Sequence, residues 1–225
     1  NVNTLVPFQF PNIKDVEKKP KTFSIYTLDQ YKTFSSVIED KMYKTLFDTL
    51  FFCGLRKGEI CALTWNDFKA SGRTLNITKS VNTTDKVKVA TSPKTLSSNR
   101  TLPISQELCN ELLELKEYYK KADGFNDNWY IFGGLLAIPN NTLQKRKKKY
   151  YELAVAIDPT LPEIRIHDFR HSCASFLINE IKAPITSVSR YLGHENPQIT
   201  LTVYSHFYEK DLTQIADDIE KIIRA

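Results

Sequence analysis

Three of the chain's four histidines, an arginine and a tyrosine fall in one stretch near the C-terminus, His167 to Tyr204. His167 and Arg170 are three residues apart, a spacing that brings their tips together on one face of a helix. Asp168 suits a helix start, and Phe169, Cys173, Phe176 and Leu177 are expected to form the opposite, buried stripe. His194 follows Gly193 in YLGHENP, a turn that ends one helix, and Asn196-Pro197 forbids a simple continuation. The short β-branched run ITLTVYSH then carries Tyr204 out of that turn. A guanidinium, two imidazoles and a phenol held near one another suit chemistry on a phosphate. The planar fork matches phosphate oxygens, an imidazole moves protons, and a phenol can attack phosphorus.

Simpler readings exist for the members taken singly. His167 and His171, at i and i+4, have the spacing of a metal pair, but Asp-Phe-Arg lies between them, with no glutamate base as in HExxH. Arg170 on the same turn would repel a divalent ion, so no metal or other cofactor is expected. The chain has eleven tyrosines, and most will be core or interface residues. The phosphate reading rests on the constellation.

HxxR, then LGH, then a tyrosine ten residues later resembles the C-terminal signature of the tyrosine recombinases, the phage and conjugative-transposon integrase family. The resemblance requires an arginine in a GLRxGE context far upstream and a lysine in a β-hairpin between the two. Both are present. GLRKGEI places Arg56 where an apolar helix ends at Gly54, with Glu59 three residues on as its local partner or brace and Lys57 at the variable position, facing solvent or DNA phosphate. TSPKTLSSNR carries Lys94 in the PKTxSS-R pattern, with Lys86 and Lys88 as weaker alternatives. A surface arginine and a solvated loop lysine are the simpler readings of Arg56 and Lys94.

The resemblance implies roles. Tyr204 attacks in line, leaving a phosphotyrosyl bond at a DNA 3′ end and a free 5′-hydroxyl. Arg56 and Arg170 clamp the non-bridging oxygens. His167 assists proton movement at the tyrosine, His194 bonds a non-bridging oxygen or places the phenol, and Lys94 protonates the departing 5′-oxygen. The implied protein is a site-specific recombinase of a mobile element, cytoplasmic and DNA-associated in a bacterium. It would act on double-stranded DNA as a tetramer joined through C-terminal helices. A non-catalytic DNA-binding module and a type IB topoisomerase-like relaxer are the alternatives. A metal-dependent nuclease lacks a carboxylate cluster at ligand spacing.

The elements that must position these residues can be read in order. Residues 1–22 mix polar, Pro and Lys residues without a period. They are expected to link to a missing N-terminal DNA-binding region, as Asn rather than Met at position 1 also implies. Residues 23–225 then form the catalytic domain with its C-terminal helix. Thr27 to Gln30 makes a capping box for a helix reaching about Glu39, and an apolar helix runs from Tyr43 to Cys53. Period-two patterns mark strands at Thr74–Lys79, Val87–Ala90 and Arg100–Ile104. A helix starts after Ser105, with Leu108, Leu112, Leu115 and Tyr119 on its inner face, and ends by Asp123-Gly124. Trp129 to Phe132 is a short apolar run expected to pack beneath the site. Asn141 to Ala156 is a helix whose Lys145, Arg146, Lys147, Lys148 and Lys149 surround all its sides. Such a run repels itself unless an anion is near, so a DNA backbone contact is expected. Leu212, Ile215, Ala216, Ile219, Ile222 and Ile223 form a terminal amphipathic stripe. The fold class is therefore α+β, mostly helical with a small three-stranded antiparallel sheet.

Composition agrees. With 31 basic and 26 acidic residues the net charge is +5, which fits an anionic partner. Apolar residues at 41% and charged residues at 25% can build a core. Cys53, Cys61, Cys109 and Cys173 sit in apolar patterns without CxxC spacing and read as reduced core residues. No apolar run is long enough to span a bilayer, and no signal peptide is expected.

Overall fold

The computed structural model describes residues 24–81, 99–194 and 212–224, with positions 196, 198 and 204 between the last two segments. Lys94, Lys86, Lys88 and the expected strand Val87–Ala90 lie outside the described residues.

Helix α1 (Leu28–Ser36) begins where expected: Thr27 Oγ1 accepts from the Gln30 amide at 3.2 Å, and the Gln30 side chain accepts from the Thr27 amide at 2.9 Å. Helix α2 (Lys41–Cys53) starts earlier than its apolar pattern, because Asp40 Oδ1 caps the amides of Met42 and Tyr43. It ends at Gly54, whose φ of +61° is a left-handed conformation that side chains resist. A methyl group there would also lie 2.5 Å from Leu192 Cδ2. Gly54 is thus the point where three helices close upon one another.

Helix α3 (Lys57–Ala62) follows at once, and a single 3₁₀ turn, Trp65–Asp67, leads into the sheet. Strands β1 (Phe68–Lys69), β2 (Thr74–Ile77) and β3 (Arg100–Pro103) pair antiparallel in that order. Leu75 stands opposite both Phe68 and Leu102, and Ile77 opposite Arg100. The strands expected at Thr74–Lys79 and Arg100–Ile104 are β2 and β3, whereas β1 was not expected: two residues are too short to show a period, and pairing with β2 defines them. Helix α4 (Gln106–Tyr119) is capped by Ser105 and buries Leu108, Leu112 and Leu115. Helices α5 (Asn140–Val155), α6 (Asp168–Asn179) and α7 (Ile185–Leu192) complete the body, and a terminal helix covers Leu212–Ile223.

One aromatic cluster anchors α6. Phe169 packs against Phe34 and Phe47 with ring centroids 5.6 and 5.4 Å apart, and Tyr31 stacks on Phe51 at 3.9 Å. A second apolar cluster joins Cys173, Ala174, Ile178, Val188, Leu192 and Tyr204. All four cysteines are free and buried. No described helix is long and apolar enough to cross a membrane.

Candidate active site

Helix α6 departs from a simple two-faced helix. Its apolar side is buried as expected at Phe169 and Cys173, but Asp168, Arg170, His171 and Ser172 are buried too. The polar side faces an interior of charge and hydrogen bonds. Asp168 fixes the first turn: it accepts from the Arg165 amide at 2.8 Å and takes the Arg165 guanidinium through both oxygens. Ser172 Oγ accepts from the Tyr26 amide at 3.0 Å, tying the helix to the start of the described chain.

Arg170 is 3% exposed and donates through Nη1 to the Gly54 carbonyl at 2.8 Å. The glycine that ends α2 therefore also holds the arginine of HxxR, across the close approach that a side chain would block. Arg170 Nη2 is buried and has no hydrogen-bond partner among the described residues. Burial, with Arg56 and Arg100 nearby, pulls its pKa down to about 10, against the opposing pull of Glu59. The guanidinium still carries its charge at neutral pH.

Arg56 enters from the N-terminus of α3. Its Nη2 donates to the Gly193 carbonyl at 3.1 Å, so the GLRKGE and LGH motifs touch across the site. Glu59 is the brace: it accepts from the Arg56 amide at 2.9 Å and from Arg56 Nη1 at 2.8 Å. It also receives Arg100 Nη1 at 3.2 Å and Nη2 at 3.0 Å. Burial alone would raise the Glu59 pKa, but the Arg100 hydrogen bonds and the charges of Arg100 and Arg56 lower it, so it stays a carboxylate. Arg100 was not among the candidate residues. Its Nε also donates to the Tyr191 carbonyl at 3.1 Å, and it lies so close to Gly193 that a methyl there would come within 2.7 Å of it. Gly193, at φ +69°, supplies the left-handed turn that delivers His194.

His167, His171 and His194 are all held below the usual histidine range. Burial is the main cause at each. At His194, Arg170, Arg56 and Arg100 add to it, and the pKa falls to about 4. His171 falls to about 4 through burial and then His167, while Arg170 is the main added charge at His167. Arginine charge at fixed positions beside neutral imidazoles suits the site to a phosphate oxygen.

Tyr204 is 2% exposed, its ring set in the second apolar cluster. Its Oη lies 2.6 Å from His171 Nδ1, a contact that the sequence reading did not contain. Burial raises its pKa, and the charge of Arg170 opposes that rise. Arg56, His167, Arg170, His194 and Tyr204 are thus linked by contact or by charge, and Glu59 and Arg100 stand behind them.

The basic run on α5 is divided. Lys147 turns inward, 5% exposed, donating to Glu163 at 2.9 Å with its ammonium over the Tyr151 ring. This corrects the expectation of five outward cations: an ammonium with a carboxylate and a ring to cover it can be buried on its long stem. Arg146 lies over the Tyr43 ring at 5.0 Å. Lys145, Lys148 and Lys149 are exposed, and Lys57 is half-buried. Among the described residues no three His, Cys, Asp or Glu side chains gather as metal ligands.

The family model described as the phage integrase family matches residues 25–211. The chain is 31% identical over 223 residues to the ICEBs1 integrase of Bacillus subtilis (strain 168), covering 94% of this chain and 58% of that protein. It is 30% identical over 178 residues to a prophage ps2 probable integrase of Lactococcus lactis, covering 75% and 46%. It therefore spans about half the length of such relatives. Among solved structures it is similar to the Tn1549 transposon integrase in complex with transposon right end DNA. There the TM-score is 0.71 at 23% identity, over 97% of this chain and 71% of that one. The XerA recombinase aligns with a TM-score of 0.64 at 17% identity, over 90% and 66%, which supports the shared fold. With GLRKGE, HDFRH, LGH and the tyrosine meeting in one place, and the family model spanning most of the chain, this protein belongs to the phage integrase family, the tyrosine recombinases.

Proposed function

We propose that the chain is the catalytic part of a site-specific recombinase that cleaves and rejoins double-stranded DNA through a 3′-phosphotyrosyl intermediate, during integration or excision of a mobile element. The observation that carries this reading is Arg170: a buried guanidinium with one nitrogen unpartnered among the described residues, beside Arg56, three neutral imidazoles and a phenol. A buried donor left without a partner is costly, and a phosphate oxygen would satisfy it.

In this mechanism Arg56 and Arg170 hold the non-bridging oxygens and stabilise the charge that builds in the transition state. His194, beside both, bonds the same group. Tyr204 attacks phosphorus, His167 assists proton movement, and Lys94 protonates the leaving 5′-oxygen. The phosphotyrosyl bond keeps the energy of the broken diester, so a second 5′-hydroxyl can reverse the step without ATP. No metal or cofactor takes part. Lys145, Lys148 and Lys149 on α5, with Lys57 beside the site, contact the DNA backbone, and Arg146 supports them. The terminal helix joins protomers into a tetramer: Ile219, Ile222 and Ile223 are between 53% and 78% exposed, an apolar face that association would cover.

The test is covalent trapping. Full-length protein is incubated in EDTA with nicked duplex fragments from the strain that carries the gene, and SDS-resistant complexes are isolated and their DNA sequenced. A complex on a recurring sequence that vanishes in Tyr204→Phe supports the proposal. Salt-dependent duplex binding with no covalent product on any fragment would leave a DNA-binding module.

A further inference from the structure

We propose that His171 is the group that takes the phenolic proton of Tyr204 as the strand is cut, a role that rests on the recombinase reading above. The resemblance assigns proton movement to His167, four residues earlier on the same helix. The geometry adds a second imidazole directly on the nucleophile: His171 Nδ1 is 2.6 Å from Tyr204 Oη. Both partners are buried, at 9% and 2% exposure. A phenol shut away from water has to pass its proton to a neighbour, and an imidazole nitrogen at this distance is within hydrogen-bond reach of that proton. For Nδ1 to accept, the ring must carry its proton on Nε2.

The surroundings keep the imidazole ready. From α6 it faces His167, whose ring meets it edge-on at 5.1 Å between centroids, together with Asp168 and Arg170. Arg165 faces it from the preceding turn, His194 from the end of α7, and Tyr204 from beyond. Burial and the positive neighbours keep the ring neutral, hence an acceptor, in the free protein. A DNA phosphate on Arg170 would offset those positive charges and raise the affinity of His171 for a proton when the transfer is due.

The step balances. The Oη–H bond breaks and the proton passes to Nδ1 while the Oη–P bond forms. The bond between phosphorus and the 5′-oxygen breaks, and that oxygen leaves with a proton from the lysine of the reading above. Rejoining runs in reverse: an incoming 5′-hydroxyl displaces the phenolate, and His171 returns the proton to it.

The test uses full-length protein and the DNA on which the Tyr204-dependent complex forms, with single-turnover cleavage followed from pH 6 to 9. Asn can accept a hydrogen bond from the phenol but cannot take its proton. His171→Asn is therefore expected to cleave about 10²-fold more slowly at neutral pH, with a rate that climbs about tenfold per pH unit as hydroxide replaces the base. Added imidazole is expected to restore part of the rate to His171→Ala. Circular-dichroism melting checks that each variant is folded, and His171→Gln replaces any that is not. A slow variant whose pH profile keeps the native shape, with no imidazole rescue, would overturn the proposal and leave His171 a structural contact. So would a cleavage rate within threefold of the native protein. Native protein that forms no covalent complex would instead refute the recombinase reading on which this one rests.

Discussion

Glu59 offers the sharpest energetic test of how the site is assembled. One carboxylate, 4% exposed, receives four hydrogen bonds, two from Arg56 and two from Arg100. Glu59→Ala would remove the carboxylate that two guanidiniums share beside Arg170 and leave a vacant acceptor position. Removing one partner of a buried ion pair costs about 3–5 kcal/mol, because the charges left behind remain desolvated. With a urea slope of about 2–3 kcal/mol/M, the unfolding midpoint should fall by roughly 1.5 M. The pH dependence carries a sign. The folded pKa lies below that of the unfolded chain, so Glu59 stabilises fully above the unfolded value of about 4.3 and loses that contribution as pH falls through the folded value. Glu59→Gln should therefore show a shallower acid limb than the native protein. Urea unfolding at a series of pH values measures both effects. A loss below about 1 kcal/mol for Glu59→Ala, or identical acid limbs, would refute the claim that Glu59 holds the arginines together.

Gly54→Ala should destabilise by about 3 kcal/mol, combining left-handed strain with overpacking against Leu192, and thermal melting would read it. Replacing Lys145, Lys148 and Lys149 together by Ala should flatten the salt dependence of DNA binding by up to about 2.7 in the log–log slope. Lys147→Met should leave that slope unchanged, and fluorescence anisotropy across a salt series separates the two. His171 and His194 have folded pKa values near 4, below the unfolded histidine value of about 6.5. Their stabilising contribution is complete above the unfolded value and is lost as pH falls towards 4, so the melting temperature should drop between pH 7 and pH 5. His194→Asn should weaken that dependence.

What was legible in the sequence was local. The Thr27–Gln30 box, the Ser105 cap and the Gly54 break depend on neighbours within four residues, and those helix ends fall within a few residues of their signals. The motifs named Arg56, His167, Arg170, His194 and Tyr204 because family spacing stands in for tertiary structure. What was not legible depends on residues far apart in the chain. Arg56 meets Gly193 across 137 positions, Arg100 meets Glu59 across 41, and His171 meets Tyr204 across 33. Arg100 looked like a strand residue, and His171 like half of a metal pair that Arg170 forbade. Lys147 looked like its four neighbours in the run, since only the fold brings Glu163 and Tyr151 to cover it.

The most direct measurement is the identity of the residue that carries the DNA. Covalent complex trapped in EDTA is trimmed with nuclease and protease, and the nucleotide-bearing peptide is sequenced by mass spectrometry. The account predicts a 3′-phosphonucleotide on Tyr204, lost when either Arg56 or Arg170 is replaced by Ala. An adduct on another residue, or a covalent complex that survives loss of either arginine, would contradict it.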